Sequence, residues 1–189
     1  MTTARNSTLS SRSARRSLVR GLTLIELLCF VSVTVATLGA SLPGLRDFTL
    51  NQRLQAATSI LESEVQLAKS LAAAQGQTVR LAIEPTVSGT CILIHTGPKR
   101  GCECDAQGQA ICTGAASVLH VRLHDAATGV RVTSVRQSLA FSSDRGTVTP
   151  TATIKLEDER GRALHQVVNV MGRTRTCSPL NAVVGYPAC

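Results

Sequence analysis

A long apolar segment near the N-terminus constrains this chain more than any other feature. It runs from Leu22 to Leu42 and is 21 residues long. A helix rises 1.5 Å per residue, so this length spans the roughly 30 Å hydrocarbon core of a bilayer. Residues 1–21 contain five arginines and no acidic residue. Because a basic flank stays on the cytoplasmic side, we expect a retained transmembrane helix with the rest of the chain outside the cytoplasm.

Glu26 is the one charged residue in that segment. A carboxylate inside a bilayer is costly and usually functional, the alternative being that it snorkels to the headgroups. The surrounding string, RGLTLIELL at residues 20–28, resembles the class III signal of type IV pilins and pseudopilins. It departs from that pattern only in having Leu22 where the family usually has Phe. The resemblance implies that a prepilin peptidase removes the leader, residues 1–21, by cutting after Gly21, and that Leu22 is then methylated.

The position of Glu26 also suggests a role in filament assembly. Near the start of a membrane helix, it could pair with the α-amine of a neighbouring subunit, offsetting the cost of both charges and setting the register between subunits. Pro43 and Gly44 follow the apolar segment, and we expect them to end or kink the helix. Two separate helices joined by a loop are the alternative.

Apolar residues then recur at spacings of three and four, which predicts an amphipathic helix over residues 43–76. Gly76 is a good C-terminal stop. We expect this half of the helix to lie on a soluble domain through its apolar face. The residues of that apolar stripe are Leu50, Leu54, Ala57, Leu61, Val65, Ala68 and Ala72.

Beyond Gly76 the period changes to two, which predicts short strands. A turn at Asp158–Gly161 should join the last two. The predicted strands are Val79–Ile83, Cys91–Ile94, Leu119–Leu123, Val130–Ser134, Leu139–Ser142, Thr151–Glu157 and Ala163–Val170. One long helix followed by strands predicts an α+β fold, with a small, mostly antiparallel β domain over residues 77–189 packed on the helix.

The cysteines predict disulfides rather than a metal site. Cys29 lies in the apolar segment and should be unpaired, whereas six cysteines outside the membrane suit an oxidising compartment. Fifteen pairings are possible, but Cys177 and Cys189 stand apart in sequence and are the favoured pair. The other four would form two bridges around a Gly-rich loop. A Cys₄ zinc site is the alternative, although Cys-x-Cys is tighter than the usual ligand spacing. These four are Cys91, Cys102, Cys104 and Cys112.

Composition and motifs exclude several functions. The chain has three Phe, one Tyr and no Trp, which argues against modules that stack bases on aromatic rings. It has no nucleophile elbow, P-loop, dinucleotide fingerprint or HExxH string. We therefore expect no enzyme, cofactor or metal. His120 and His124 should share the outer, solvent-facing side of a strand.

The C-terminal segment Met171–Pro179 is basic. Arg173 and Arg175 are two residues apart, so in extended chain both project to one side. Two guanidiniums on one side suit consecutive phosphates of a nucleic acid. The alternatives are a solvated basic hairpin, or arginines paired with Asp158 and Glu159.

The whole chain resembles the FimT/GspH family of type IV minor pilins and type II secretion pseudopilins. The string GRTR at residues 172–175, followed by Cys177 and a closing GYPAC at residues 185–189, resembles the FimT branch. FimT-like minor pilins use that string to bind DNA during natural transformation. The resemblance implies that Arg173 and Arg175 contact the phosphate backbone, with Gly172 shaping the turn.

The resemblance also implies an inner-membrane protein with a periplasmic C-terminal domain that enters a pilus or pseudopilus. Its partners would be other pilin or pseudopilin subunits, the prepilin peptidase, DNA and the inner membrane. Two other functions fit the same signal. One is a GspH-like pseudopilin of a type II secretion system with no DNA role, and the other is a minor pilin that only primes pilus assembly.

Overall fold

The computed structural model describes residues 23–189, apart from the side chains of residues 40–43. Helix α1 (Leu24–Gln75) is the first element. The Thr23 hydroxyl caps it by accepting the amide N–H of Glu26 at 3.3 Å. Gly76 follows the helix with a φ of +64°, the left-handed conformation that commonly ends a helix. The chain divides into two compact units, with the boundary between Leu42 and Pro43.

The helical part of the first unit has an apolar surface that is open on all sides. Every described side chain from Leu24 to Gly39 is exposed, and the helix is long and apolar enough to cross a membrane. Soluble monomers rarely expose so large a continuous apolar surface. The large apolar side chains that are more than half exposed are Leu24, Ile25, Leu27, Leu28, Phe30, Val31, Val33, Val35 and Leu38.

Helix α1 runs through Pro43 and Gly44 without ending. Of the two expected outcomes, an end and a kink, the end is therefore wrong, as is the alternative of two helices joined by a loop. A proline removes only its own N–H from the helical ladder, and a helix can continue past it.

The second unit packs the rest of the helix against two sheets. Of the predicted apolar stripe, Leu50 is half-buried and the other six residues are buried. They share one core with the inner faces of both sheets, where Leu81, Phe141, Ile154 and Leu164 are buried. A helix packed on mostly antiparallel sheet confirms the α+β fold class.

Eleven strands form three sheets in the described part of the chain. The first sheet has the order β5-β2-β1-β7-β8, the second β11-β10-β9-β6, and β3 pairs with β4 alone. All strand pairs are antiparallel. The strands are β1 Val79–Thr86, β2 Gly89–Thr96, β3 Cys102–Cys104, β4 Ala110–Cys112, β5 Val118–Asp125, β6 Val130–Ser134, β7 Ser138–Phe141, β8 Val148–Thr149, β9 Ala152–Asp158, β10 Ala163–Val168 and β11 Thr174–Cys177.

Each of the seven predicted strands is present, but four strands were not predicted. Strands β3, β4 and β8 have only two or three residues, too few for a periodic pattern. Strand β11 is polar and pairs with β10 along one side only. Strand β10 ends at Val168, two residues before the predicted end, because Asn169 opens a turn.

Three hairpins use the same five-residue turn. In each, the side chain of an Asp or Asn accepts the backbone N–H groups two and four residues later, and the fourth residue is a glycine with positive φ. An Asx side chain and a left-handed glycine are the usual means of closing such turns. The three turns are Asp105–Gln109, Asp158–Arg162 and Asn169–Arg173.

Three disulfides close the β domain. They join Cys91 to Cys104, Cys102 to Cys112, and Cys177 to Cys189, the last being the pair favoured from the sequence. Because all four clustered cysteines are oxidised, none is left as a thiolate for the alternative zinc site. Cys29 is free and exposed.

Candidate nucleic-acid interface

The β10–β11 hairpin carries the predicted DNA-binding residues. Its turn is held by Asn169, whose Oδ1 accepts the N–H of Met171 at 3.0 Å and of Arg173 at 2.9 Å. The N–H of Gly172 donates to the carbonyl of Asn169 at 2.9 Å, and that of Asn169 to the carbonyl of Arg173 at 3.1 Å. These bonds fix the backbone from which the first arginine projects.

Gly172 fits this turn for two reasons. Its φ is +69°, which disfavours any residue with a Cβ. A Cβ there would also lie 3.1 Å from Cγ2 of Val148 and 3.4 Å from Cδ of Lys69. The Lys69 ammonium donates to the carbonyl of Met171 at 3.0 Å, which fastens the hairpin tip to helix α1.

The two faces of β11 differ in what they contact. The hydroxyl of Thr174 donates to Oε1 of Glu62 at 2.9 Å, so Thr174 faces helix α1. Successive side chains along a strand alternate between faces. Arg173 and Arg175 therefore share the opposite, outer side, and both are exposed.

No acidic side chain within residues 23–189 pairs with Arg173 or Arg175. Asp158 lies in the turn at the other end of β10, where its Oδ2 accepts Nε of Arg162 at 2.7 Å. The alternative in which Asp158 neutralises these arginines is therefore wrong. The two guanidiniums remain free to meet an external anion.

The outer face of β10 adds an imidazole beside this pair. His165 lies directly opposite Cys177 of β11 and Lys155 of β9. Burial lowers the pKa of His165, and the positive charge of Lys155 lowers it further. His165 is therefore mostly neutral near pH 7 and adds little positive charge to this face.

His120 and His124 do not lie where the sequence predicted. Along β5 they lie opposite Ile94 and Thr90, on the face that looks toward helix α1, and both are half-buried. The other face of this sheet is covered by the disulfide-bridged β3–β4 hairpin, which packs on Leu93. On β5 itself, Leu119 packs against the main core while Val121 is 38% exposed. The sequence pattern alone could not show that both faces are covered.

Sequence reasoning also missed a buried carboxylate. Glu64 of helix α1 has only 3% of its side chain exposed, and its Oε1 accepts Nε of Arg122 at 2.5 Å. The Nε2 of His120 lies 3.2 Å from each carboxylate oxygen. Glu64 lies three residues after Leu61 and directly before Val65. This position beside the apolar stripe could have indicated from the sequence that the carboxylate is buried.

The predicted processing residues Gly21 and Leu22 lie outside the described residues. Glu26 is exposed in the first turn of helix α1.

Comparison with known proteins identifies the family. No curated protein matches the chain. A solved structure, the type IV minor pilin FimU of Pseudomonas aeruginosa (strain PAO1), is similar over 66% of this chain and 96% of that chain, with 17% identity and a TM-score of 0.46. The family model described as type II transport protein GspH matches residues 57–172. Since that match covers more than half of the chain, the protein belongs to the GspH family of pilin-like proteins.

Proposed function

We propose that this GspH-family protein is a minor pilin of a type IV pilus that binds DNA through Arg173 and Arg175 for natural transformation. One observation carries the proposal. Both guanidiniums are exposed on the outer side of an edge hairpin, and no acidic side chain among the described residues pairs with them.

The chemistry of the hairpin suits phosphates rather than bases. A guanidinium presents a planar fork of donors that matches a phosphate. The hairpin has no Phe, Tyr or Trp on which a base could stack. Binding is therefore independent of sequence and sensitive to salt, since each contact releases counterions.

The N-terminal part of the chain supports the pilin part of the proposal. A prepilin peptidase cuts after Gly21, and Leu22 becomes the methylated N-terminus. The exposed apolar helix anchors the subunit in the inner membrane, with the β domain in the periplasm, before it joins other subunits in the filament. Glu26 neutralises the N-terminus of a neighbouring subunit there. The role is structural and not catalytic, in line with the family.

A GspH-like pseudopilin of a type II secretion system is the second candidate. The family match ends at Gly172, so it includes neither Arg173 nor Arg175. Family membership by itself therefore carries no DNA binding. A minor pilin that only primes pilus assembly is equally consistent with this family match.

The test compares wild type with the double variant Arg173→Gln/Arg175→Gln. The full chain in nonionic detergent is titrated into a fluorescent duplex of random sequence at several salt concentrations. Loss of two phosphate contacts should flatten the slope of log affinity against log salt by about 1.8 units, at roughly 0.9 per contact. Lysine at both positions should restore part of the affinity, because it restores the positive charge but not the planar set of guanidinium donors.

The matched control is Lys99→Gln/Arg100→Gln. These two residues are also exposed and basic, but they lie in the loop between β2 and β3. The control should bind DNA as wild type does. In cells, the Arg173/Arg175 variant should take up less DNA while pili still form. If it binds DNA as tightly as wild type at every salt concentration, the secretion pseudopilin is the better assignment.

A further inference from the structure

We propose that the DNA path continues from the arginine pair diagonally across the outer face of the four-stranded sheet, with Lys155 and Arg131 as further phosphate contacts. This inference rests on the proposed DNA-binding function. It adds two residues, on β9 and β6, that are separated in sequence from the C-terminal arginines.

The strand register puts these cations on one face. Arg175 lies opposite Val167, and Val167 opposite Thr153. Lys155 is two residues further along β9 than Thr153 and therefore points to the same side. Burial supports the assignment, since Thr153, Lys155 and Glu157 are half-buried or exposed while Ala152, Ile154 and Leu156 between them are buried in the core.

Strand β6 completes the row. Lys155 lies opposite Thr133, and Glu157 opposite Arg131. Arg131 and Thr133 are exposed, whereas Val130 and Val132 are buried. Arg131 therefore stands on the same outer face as Arg175, at the far corner of the sheet.

The face is almost free of negative charge. Within the described residues, neither Lys155 nor Arg131 forms an ion pair. Glu157, opposite Arg131, is the single acidic residue on the outward-facing positions of β6, β9, β10 and β11. His165, between Arg175 and Lys155, is mostly neutral near pH 7. A phosphate backbone can thus cross from one corner to the other and meet repulsion only at its end.

The dimensions match a short stretch of duplex. Neighbouring strands are about 4.8 Å apart and residues rise about 3.4 Å along each strand, which puts the Cα atoms of Arg175 and Arg131 roughly 20 Å apart. At a rise of about 3.4 Å per base pair, that distance corresponds to about six base pairs. Lys155 stands between them, so the cations are spread along the path.

The experiment uses the full chain in nonionic detergent and a fluorescent duplex of random sequence. Lys155→Gln/Arg131→Gln should flatten the salt slope by about 1.8 units, as expected for two lost contacts. Glu157→Gln should tighten binding, because it removes the negative charge from the path. Lys99→Gln/Arg100→Gln again serves as the charge-matched control and should leave the slope unchanged. Circular dichroism should show that all variants melt as wild type does.

The outcomes separate this inference from the function on which it rests. Absence of DNA binding by wild type would overturn both. If Arg173→Gln/Arg175→Gln weakens binding but Lys155→Gln/Arg131→Gln leaves the slope unchanged, the path is wrong and the function stands. Soluble short-chain phosphatidylglycerol, added to the detergent solution, tests an anionic lipid as the other ligand. Weaker binding of this lipid with unchanged DNA binding in the Lys155/Arg131 variant would make this face a lipid surface and would also overturn the inference.

Discussion

Gly172 determines where the arginine pair stands, because it combines a left-handed backbone with a crowded site. We expect Gly172→Ala to lower the free energy of unfolding by more than the roughly 1–2 kcal/mol that a left-handed residue with a Cβ usually costs. The excess comes from contact with Val148 and Lys69. Thermal unfolding of the variant followed by circular dichroism measures the loss.

Gly146→Ala is the matched control for this prediction. Gly146 has a φ of +61°, and a Cβ there would meet nothing within 4 Å. Gly146→Ala should therefore lose only the free energy that a left-handed residue with a Cβ costs, with no added cost from contacts. Equal losses in the two variants would mean that the contact of the hairpin tip with the helix contributes nothing.

Two histidines make stability depend on pH. Burial lowers the pKa of His124, an effect that Asp125 partly opposes, and burial with Lys155 lowers the pKa of His165. In the unfolded chain both return to about 6.5. Below that pH the unfolded state binds more protons than the folded state. The contribution of the two histidines to stability is therefore complete above pH 6.5 and is lost as the pH falls toward their folded pKa values.

Unfolding should therefore become easier as the pH falls from about 6.5 to about 5.5. The double variant His124→Gln/His165→Gln should show a flatter dependence of the melting temperature on pH over this range. An unchanged dependence would show that other groups are responsible for it.

At the scale of elements, Glu64 links helix α1 to the edge strand β5. Removing one partner of a buried charged hydrogen bond costs about 1–3 kcal/mol. We expect Glu64→Gln to lose stability in the lower part of that range, because the Arg122 side chain is 46% exposed and stays hydrated. The amides of β5 should lose hydrogen-exchange protection, while those of β9 and β10 keep it.

Glu62→Gln provides the comparison. Glu62 is exposed on the same helix and accepts a hydrogen bond from Thr174, which a glutamine oxygen can also accept. This variant should melt close to wild type. If the two variants melt at the same temperature, the burial of Glu64 does not matter to the fold.

Elements with a regular repeat of apolar residues were predictable from the sequence, and elements without one were not. The apolar stripe of helix α1 and the seven predicted strands follow from the spacing of apolar residues, whereas β11, as short as β7, is polar. Strands β3 and β4 are held by the disulfide between Cys102 and Cys112 rather than by an apolar pattern. His120 faces helix α1, where it contacts Glu64, and local spacing does not encode a contact between residues so far apart in sequence. Arg173 and Arg175 were predictable as a pair, but Lys155 and Arg131 join them only through strand register.

At the scale of the whole molecule, the proposed processing gives a mature chain with a defined start. We expect mass spectrometry of assembled material to find Leu22 at the N-terminus with one added methyl group. Cleavage after Gly21 would put Glu26 at the fifth position of the mature chain. Recovery of Met1 in assembled material would contradict the proposed processing.

Incorporation into a filament should depend on Glu26. In the proposed filament this carboxylate offsets a neighbour's α-amine in an apolar environment, so Glu26→Ala should leave cleavage intact and lower the amount of protein in sheared filaments. Glu26→Asp, which keeps the charge, should lower it less. Wild-type amounts of Glu26→Ala in filaments would show that the charge is not used.

The pattern of disulfides has a consequence for how the protein is made. The bridges Cys91–Cys104 and Cys102–Cys112 interleave along the chain, whereas Cys177–Cys189 joins neighbours. An oxidase that joins cysteines in the order in which they leave a translocation channel would first link Cys91 to Cys102 and Cys104 to Cys112. Reaching the native set then requires a thiolate to attack one of those bridges. Formation of the native bridges should therefore depend on a disulfide isomerase, and a host lacking one should yield misbridged chains.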